Sequence, residues 1–319
     1  MTTSTKRALL IGINYLNNPN ARLNGCIEDI KNIQNMLIDA YGYANENMVV
    51  LRDDIPSKMP TKQNILLSLQ LIASAAGPND EIWIHYSGHG TQLRDQTGDE
   101  TDGLDEAIVP VDYPTAGMIS DDDLFLIVRA IKCRAFLVFD SCHSGSVCDL
   151  QYSINYVNGS FAKNISSNKT VVNPNIVVLS GSRDAQTSAD AFDSVKNVFG
   201  GALTMSLTAA LRKNRHSVNL LKLYNDVCYD LLKNKYEQIP VLSSSASNPV
   251  WNFERPMLVK TIPAPKVVQM VNQVATKMVE VHLHEPIVKP GYSAPHSLVF
   301  NSKAVRSAIR AKPTMNLFI

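Results

Sequence analysis

The chain has 319 residues, 45% of them hydrophobic and 18% charged, with a formal net charge of +1. That length suits one large α/β domain or two small ones, with enough apolar residues for a sizeable core. The near-zero charge excludes a global attraction to nucleic acid or to an acidic membrane.

RALLIGINY (7–15) is a short apolar run ending in turn residues, as a buried strand does. CIEDIKNIQNMLIDAYG (26–42) carries apolar residues at helical spacing and closes on Gly42. MVVLRDD (48–54) reads as a strand, and Pro60-Thr61 starts a helix that Gly77-Pro78 ends. EIWIHYSGHG (81–90) is a strand running into a glycine turn, and EAIVPVD (106–112) is a further short strand. Ser120 and three aspartates cap the helix in DLFLIVRAI. RAFLVFDSCHSG (134–145) is strand then turn, residues 151–172 a polar linker, and NIVVLSGS (175–182) another strand. Helices over 200–212 and 218–234 follow. Strands alternating with helices predict a mostly parallel sheet covered on both faces, with the site where strands end.

The last segment differs. Residues 256–319 hold eight Lys/Arg and two acids, net +6, which leaves 22 bases and 27 acids, net −5, for residues 1–255. Seven prolines fall in that tail, and Val267, Val271, Val274, Met278 and Val281 have heptad-like spacing, room for one short helix. Five cysteines without framework spacing fit a reduced compartment. The N-terminal apolar run is too short for a signal peptide, and no run approaches the roughly 20 apolar residues of a membrane span. The sequons at Asn158, Asn164 and Asn168 then mark a surface loop. The expectation is a soluble, cytoplasmic, monomeric protein without an organic cofactor.

Cys142 stands at a strand exit among Asp140, Ser141, His143 and Ser144, a polar setting that does not suit a packed structural thiol. Cys133 and Cys228 lie in apolar patterns and read as structural. His143 is adjacent to Cys142, and consecutive side chains diverge, so it is badly placed to take the thiol proton. His89, between Gly88 and Gly90 at another strand end, is the better partner, and the glycines allow a backbone N–H to approach a ligand. His85 lies inside the strand and reads as a packed histidine. His85-x3-His89 lacks the helix and the glutamate of a zinc motif.

HYSGHG followed by DSCHSGS resembles the His and Cys blocks of the metacaspases, the caspase-fold cysteine proteases. LNGCIEDI (23–30), GDETDGLDEAIVPVD (98–112) and SGSRDAQTSADA (180–191) resemble three further blocks of that family in the right order, over residues 6 to about 255. The caspase signature QAC-x-G is absent. The resemblance implies an α/β fold, a three-layer αβα sandwich around a mostly parallel sheet of roughly six strands. It implies a p20-like catalytic region (1–150), the linker (151–172), a p10-like region (173–256) and a basic tail (257–319). It further implies Cys142 as nucleophile, His89 as acid and base, and an oxyanion hole from the N–H groups of Gly90 and Cys142. A specificity pocket would comprise Cys26, Asp29, Ser87 and Asp140.

Asp29 and Asp140 side by side would make a strongly negative pocket suited to a guanidinium or ammonium, hence protein or peptide substrates with Arg or Lys at P1. Taken alone, Asp29 reads as a solvated acid on a helix face. The acidic loop raises calcium. An EF-hand fails because Glu100 stands where that loop needs glycine. The resemblance instead implies Ca²⁺ held by Asp105, Asp121, Asp122 and Asp149, although Asp121 and Asp122 would equally serve as helix caps. Lys163 and Lys169 are candidate self-cleavage sites. The architecture resembles a type I core without a prodomain or the long linker of type II members. Two other readings stand beside a calcium-stimulated endopeptidase: a catalytically silent scaffold of the same fold, and a protease with another P1 choice.

Overall fold

A computed structural model describes residues 4–95, 98, 103–142, 144–145, 147–157, 160–181, 190–193, 198–236 and 238–256. His143, most of SGSRDAQTSADA, part of the acidic loop and the basic tail lie outside the described residues.

In chain order, β1 (Lys6–Gly12), α1 (Cys26–Tyr41), β2 (Met48–Arg52), α2 (Lys62–Ala75) and β3 (Glu81–Ser87) form the first half of the frame. Next come β4 (Gly90–Arg94), β5 (Leu104–Ile108), α3 (Tyr113–Ala116), β6 (Ile119–Ser120), α4 (Asp121–Val128) and β7 (Arg134–Asp140). The remainder is β8 (Tyr152–Val157), β9 (Ser160–Ile165), β10 (Ile176–Ser180), β11 (Asp190–Asp193), β12 (Val198–Gly201), α5 (Ala202–Lys213), β13 (Val218–Asn219), α6 (Leu220–Lys233), β14 (Val241–Ser244) and β15 (Asn252–Phe253). The main sheet has the order β2-β1-β3-β7-β10-β14-β8-β9. The pairs from β2 to β10 are parallel, and β14, β8 and β9 add antiparallel pairs at one side.

Side-chain alternation along the strands explains the three layers. Ala8, Leu10, Trp83, Phe136 and Val138 face α1, α5 and α6, where Ile33, Leu207 and Val227 meet them. Leu9, Ile11, Ile84, Leu137 and Phe139 face α2 and α4, where Leu69 and Leu124 cover them. The central strands are therefore apolar on both faces, as a buried parallel sheet requires.

The sheet differs from the expected one in its strand number: eight rather than about six. The extra pair, β8 and β9, comes from the stretch expected to be an irregular linker. Ile154 and Ser153 of β8 are buried, but every residue of β9 is exposed, so this edge strand carries little of the apolar signal that marks a core strand.

Candidate active site

The site forms where β3 and β7 end together. The two strands pair in parallel with Ser87 opposite Asp140, and the Gly88 N–H donates to the Asp140 carbonyl (3.3 Å). His89 and Cys142 each follow two residues beyond that pair. At Gly90 the backbone passes so close to Cys142 that a Cβ would lie 1.9 Å from the Cys142 carbonyl oxygen. Only glycine permits this approach, which joins the two loops expected to supply nucleophile, base and oxyanion donors. Cys142 is half-buried and is not in a disulfide.

His89 is held on three sides. Its Nε2 lies 2.7 Å from the Ala21 carbonyl, so Nε2–H donates there and Nδ1 keeps the basic lone pair. Its backbone N–H donates to the Tyr15 hydroxyl (3.0 Å), and its carbonyl accepts from the Tyr86 hydroxyl (2.6 Å). The Tyr15 ring also packs on the imidazole, with centroids 4.7 Å apart. Burial raises both phenols above their ordinary range, so they stay protonated donors. Neither tyrosine was expected from sequence as a support of His89. Tyr15 stands just past β1 in the left-handed conformation (φ 52°), a position that gives no periodic signal.

The structure brings Asp29, Ser87 and Asp140 together beside the Cys–His corner. All three are buried, as is Cys26. Ser87 Oγ donates to Asp29 Oδ2 (2.6 Å), and the Gly201 N–H donates to both Asp29 oxygens (3.1 and 2.9 Å). Asp140 Oδ2 accepts from the Thr204 N–H and from its hydroxyl, each at 2.7 Å. A Cβ on Gly201 would fall 2.1 Å from that same oxygen. The two carboxylates therefore converge on the N-terminus of α5, whose N-cap residue has no side chain of its own to cap with. Free N–H groups and the helix dipole favour negative charge there. Asp29 is thus not the solvated acid that its helix position alone predicts; it is 2% exposed.

Two further groups set this pocket. Asn14 Oδ1 accepts from the Cys26 N–H (3.0 Å), which caps α1 and fixes the turn carrying Cys26 and Asp29. His85 Nε2 lies 3.0 Å from Thr204 Oγ1. Because that hydroxyl donates to Asp140, it accepts from His85 Nε2–H. Burial pushes His85 down to about 3, so it is neutral. The expectation of a packed, hydrogen-bonded histidine matches this arrangement.

A second acidic group lies away from the corner. Ligand oxygens of Asp121, Asp122 and Asp149 come within 4.8 Å of one another. Asp105 is not in that group, though it is buried and near enough to raise the Asp121 carboxyl. Burial first, then Asp149 and Asp105, push Asp121 up to about 7. Asp121 also accepts from the N–H groups of Glu106 (2.8 Å) and Asp122 (2.7 Å), while Ser120 caps α4 by accepting from the Asp123 N–H. Ser120 is thus the N-cap, and Asp121 Oδ1 satisfies a second N–H of the first turn. Three carboxylates gathered around a cation position fit a hard divalent ion. The position already attracts positive charge: Lys169 Nζ lies 2.6 Å from both Asp122 Oδ1 and Asp149 Oδ2. Lys163, the other expected self-cleavage position, lies in β9 opposite Ile154.

Residues 6–151 match the family described as metacaspase, peptidase C14 domain. The chain is 38% identical over 289 residues to metacaspase-1A of Neurospora crassa, covering 75% of this chain and 63% of that relative's length. It is 37% identical over 291 residues to metacaspase-1A of Aspergillus terreus, covering 76% and 71%. The fold is similar to the crystal structure of caspase-1 from Spodoptera frugiperda, with a TM-score of 0.52 and 12% identity over 80% of this chain and 92% of that one. Among the described residues no helix is long and apolar enough to cross a membrane. The chain belongs to the metacaspase family.

Proposed function

We propose that this metacaspase is a cysteine endopeptidase that cleaves protein or peptide chains after Arg or Lys and is stimulated by calcium. The reading rests above all on the corner where Gly90 packs on Cys142 and the Ala21 carbonyl holds His89 with Nδ1 as its basic atom. In this reading the Cys142 thiol gives its proton to His89, and the sulfur bonds to the scissile carbonyl carbon. The Gly90 and Cys142 N–H groups receive the charge that develops on the carbonyl oxygen. The C–N bond breaks as His89 returns the proton to the leaving amine. Water, deprotonated by His89, then cleaves the thioester, which releases the acid and restores the thiol.

Asp29 and Asp140 support the choice of Arg or Lys. Ser87, Gly201 and Thr204 donate to these carboxylates from neutral groups, which would orient both acids for a cationic side chain. An Asp or Glu at P1 would be repelled. Asp121, Asp122 and Asp149, with Asp105 nearby, would hold Ca²⁺, which would supply a fixed positive charge to that acidic group. The proposed setting is the cytoplasm, with the protein acting as a monomer and without nucleic acid or membrane as partner.

The test uses peptides with Arg, Lys or Asp at P1, with and without calcium, and the Cys142→Ala variant as control. Cleavage of the Arg and Lys peptides by the wild type alone, faster with calcium, is the expected result. Equal cleavage by Cys142→Ala, or none by the wild type in calcium, defeats the proposal. Cleavage confined to the Asp peptide overturns the pocket assignment.

A further inference from the structure

Lys169 is both a candidate cleavage position and the residue whose ammonium lies in the Asp121–Asp122–Asp149 group. Those two roles exclude each other. A lysine at P1 must place its ammonium against Asp29 and Asp140, yet here Nζ is 2.6 Å from Asp122 Oδ1 and 2.6 Å from Asp149 Oδ2. It also lies 5.4 Å from the centroid of the Phe125 ring. The Lys169 side chain is 21% exposed and Asp149 only 3%, so this ion pair is shielded from water and worth more than a surface pair. The backbone around it tells the opposite story. Asn168 and Thr170 are exposed, and no strand or helix includes residues 166–175. The backbone here is outside any strand or helix and flanked by exposed residues, while the side chain that would direct cleavage is tied down. Lys163 is the reverse case. Among the described residues its ammonium meets the neutral Asn248 Oδ1 (3.2 Å) and the face of Tyr152, and its backbone is paired along β9.

We infer that Lys169 is a latched cleavage site: its ammonium occupies the acidic group as an internal counter-ion, and a hard divalent cation competes for the same carboxylates and sets the lysine free. The inference rests on the calcium reading given above and extends it to regulation of self-cleavage. A divalent ion held by Asp122 and Asp149 would lie within a few ångström (~4 Å) of the Lys169 ammonium, and like charges that close repel. Cation binding therefore costs the Lys169 pair, and removing that pair strengthens cation binding by linkage. The coupling makes the Lys169 side chain more available when the ion is present.

The full chain carrying Cys142→Ala separates this from catalysis, because neither readout below needs activity. Calcium alone is titrated calorimetrically into Cys142→Ala and into Cys142→Ala/Lys169→Met. The double variant should bind calcium about tenfold more tightly, the size expected for loss of one competing partly buried ion pair. In the second readout, Cys142→Ala is digested briefly with trypsin. Calcium should speed cleavage after Lys169 about tenfold relative to cleavage after Lys163 in the same digest. Equal calcium affinity in the two proteins, or a Lys169 cleavage rate that ignores calcium, overturns the latch while leaving the peptidase reading untouched. Absence of calcium binding by either protein overturns both the latch and the proposed calcium site.

Discussion

Among the described residues, two groups of carboxylates are satisfied in different ways. Asp29 and Asp140 accept hydrogen bonds from neutral donors at Ser87, Gly201 and Thr204. Asp122 and Asp149 are met by the Lys169 ammonium. Neutral donors at a helix N-terminus hold negative charge in place without cancelling it, whereas an ammonium cancels part of it. In the proposed reading the first group is preorganised for a cationic guest, and the second holds the Lys169 ammonium that a cation would have to displace.

Removing charge from the first group should have the largest effect. Asp140→Asn keeps an oxygen to accept from Thr204 and deletes the charge. The kcat/KM for an Arg peptide should fall by about 100- to 1000-fold, the cost of leaving a desolvated charge without its partner, roughly 3–4 kcal/mol. Steady-state kinetics with the same peptide for Asp29→Asn should show a comparable loss. A change below threefold in both variants would erase the contrast between the groups, because neither carboxylate would then face the guest.

The support behind Asp140 gives a smaller effect, visible in stability. His85 is held near 3 in the fold and titrates near 6.5 when unfolded. The unfolded chain therefore binds a proton that the native His85 refuses, so its contribution is whole above about pH 6.5 and is lost as the pH falls toward 3. Between pH 7 and pH 5 the loss is about 2 kcal/mol. Urea titrations at the two pH values should show that His85→Gln loses about 2 kcal/mol less than the wild type. Identical losses would mean that the chain from His85 through Thr204 to Asp140 does not hold a neutral imidazole.

The smallest expected effect concerns the second group. Asp149→Asn removes one charge from a set of three, so calorimetry on the Cys142→Ala background should show calcium binding weakened about tenfold. Unchanged affinity would remove Asp149 from the cation site and leave the contrast without its second half.

Much of this arrangement was legible in the sequence because it lies in periodic segments. The apolar spacing of CIEDIKNIQNMLIDAYG gave α1 nearly to the residue, and the apolar run ending at Asp140 gave β7. The two strand exits then pointed to His89 and Cys142 without any contact information. The residues that escaped notice act across long distances in the chain. Tyr15 supports His89 across 74 positions, and Thr204 holds Asp140 across 64. No local pattern encodes such pairs; they exist only once the sheet order is set.

The β8–β9 hairpin escaped for another reason. Its Asn158-Gly159 dipeptide between alternating segments is a strong turn signal. The exposed β9, with Lys163 and Asn164 between its apolar residues, reads as a loop when a buried face is the criterion. Lys169 was visible as a basic residue in a polar stretch, but its partners, Asp122 and Asp149, are 47 and 20 positions away.

The most direct measurement is the P1 profile of the purified full chain in calcium, read by mass spectrometry of a mixed peptide pool beside Cys142→Ala. The account predicts cuts after Arg and Lys in the wild type, their loss in Asp140→Asn, and none in Cys142→Ala. Cuts after Asp, or a pool left intact by the wild type, would contradict it.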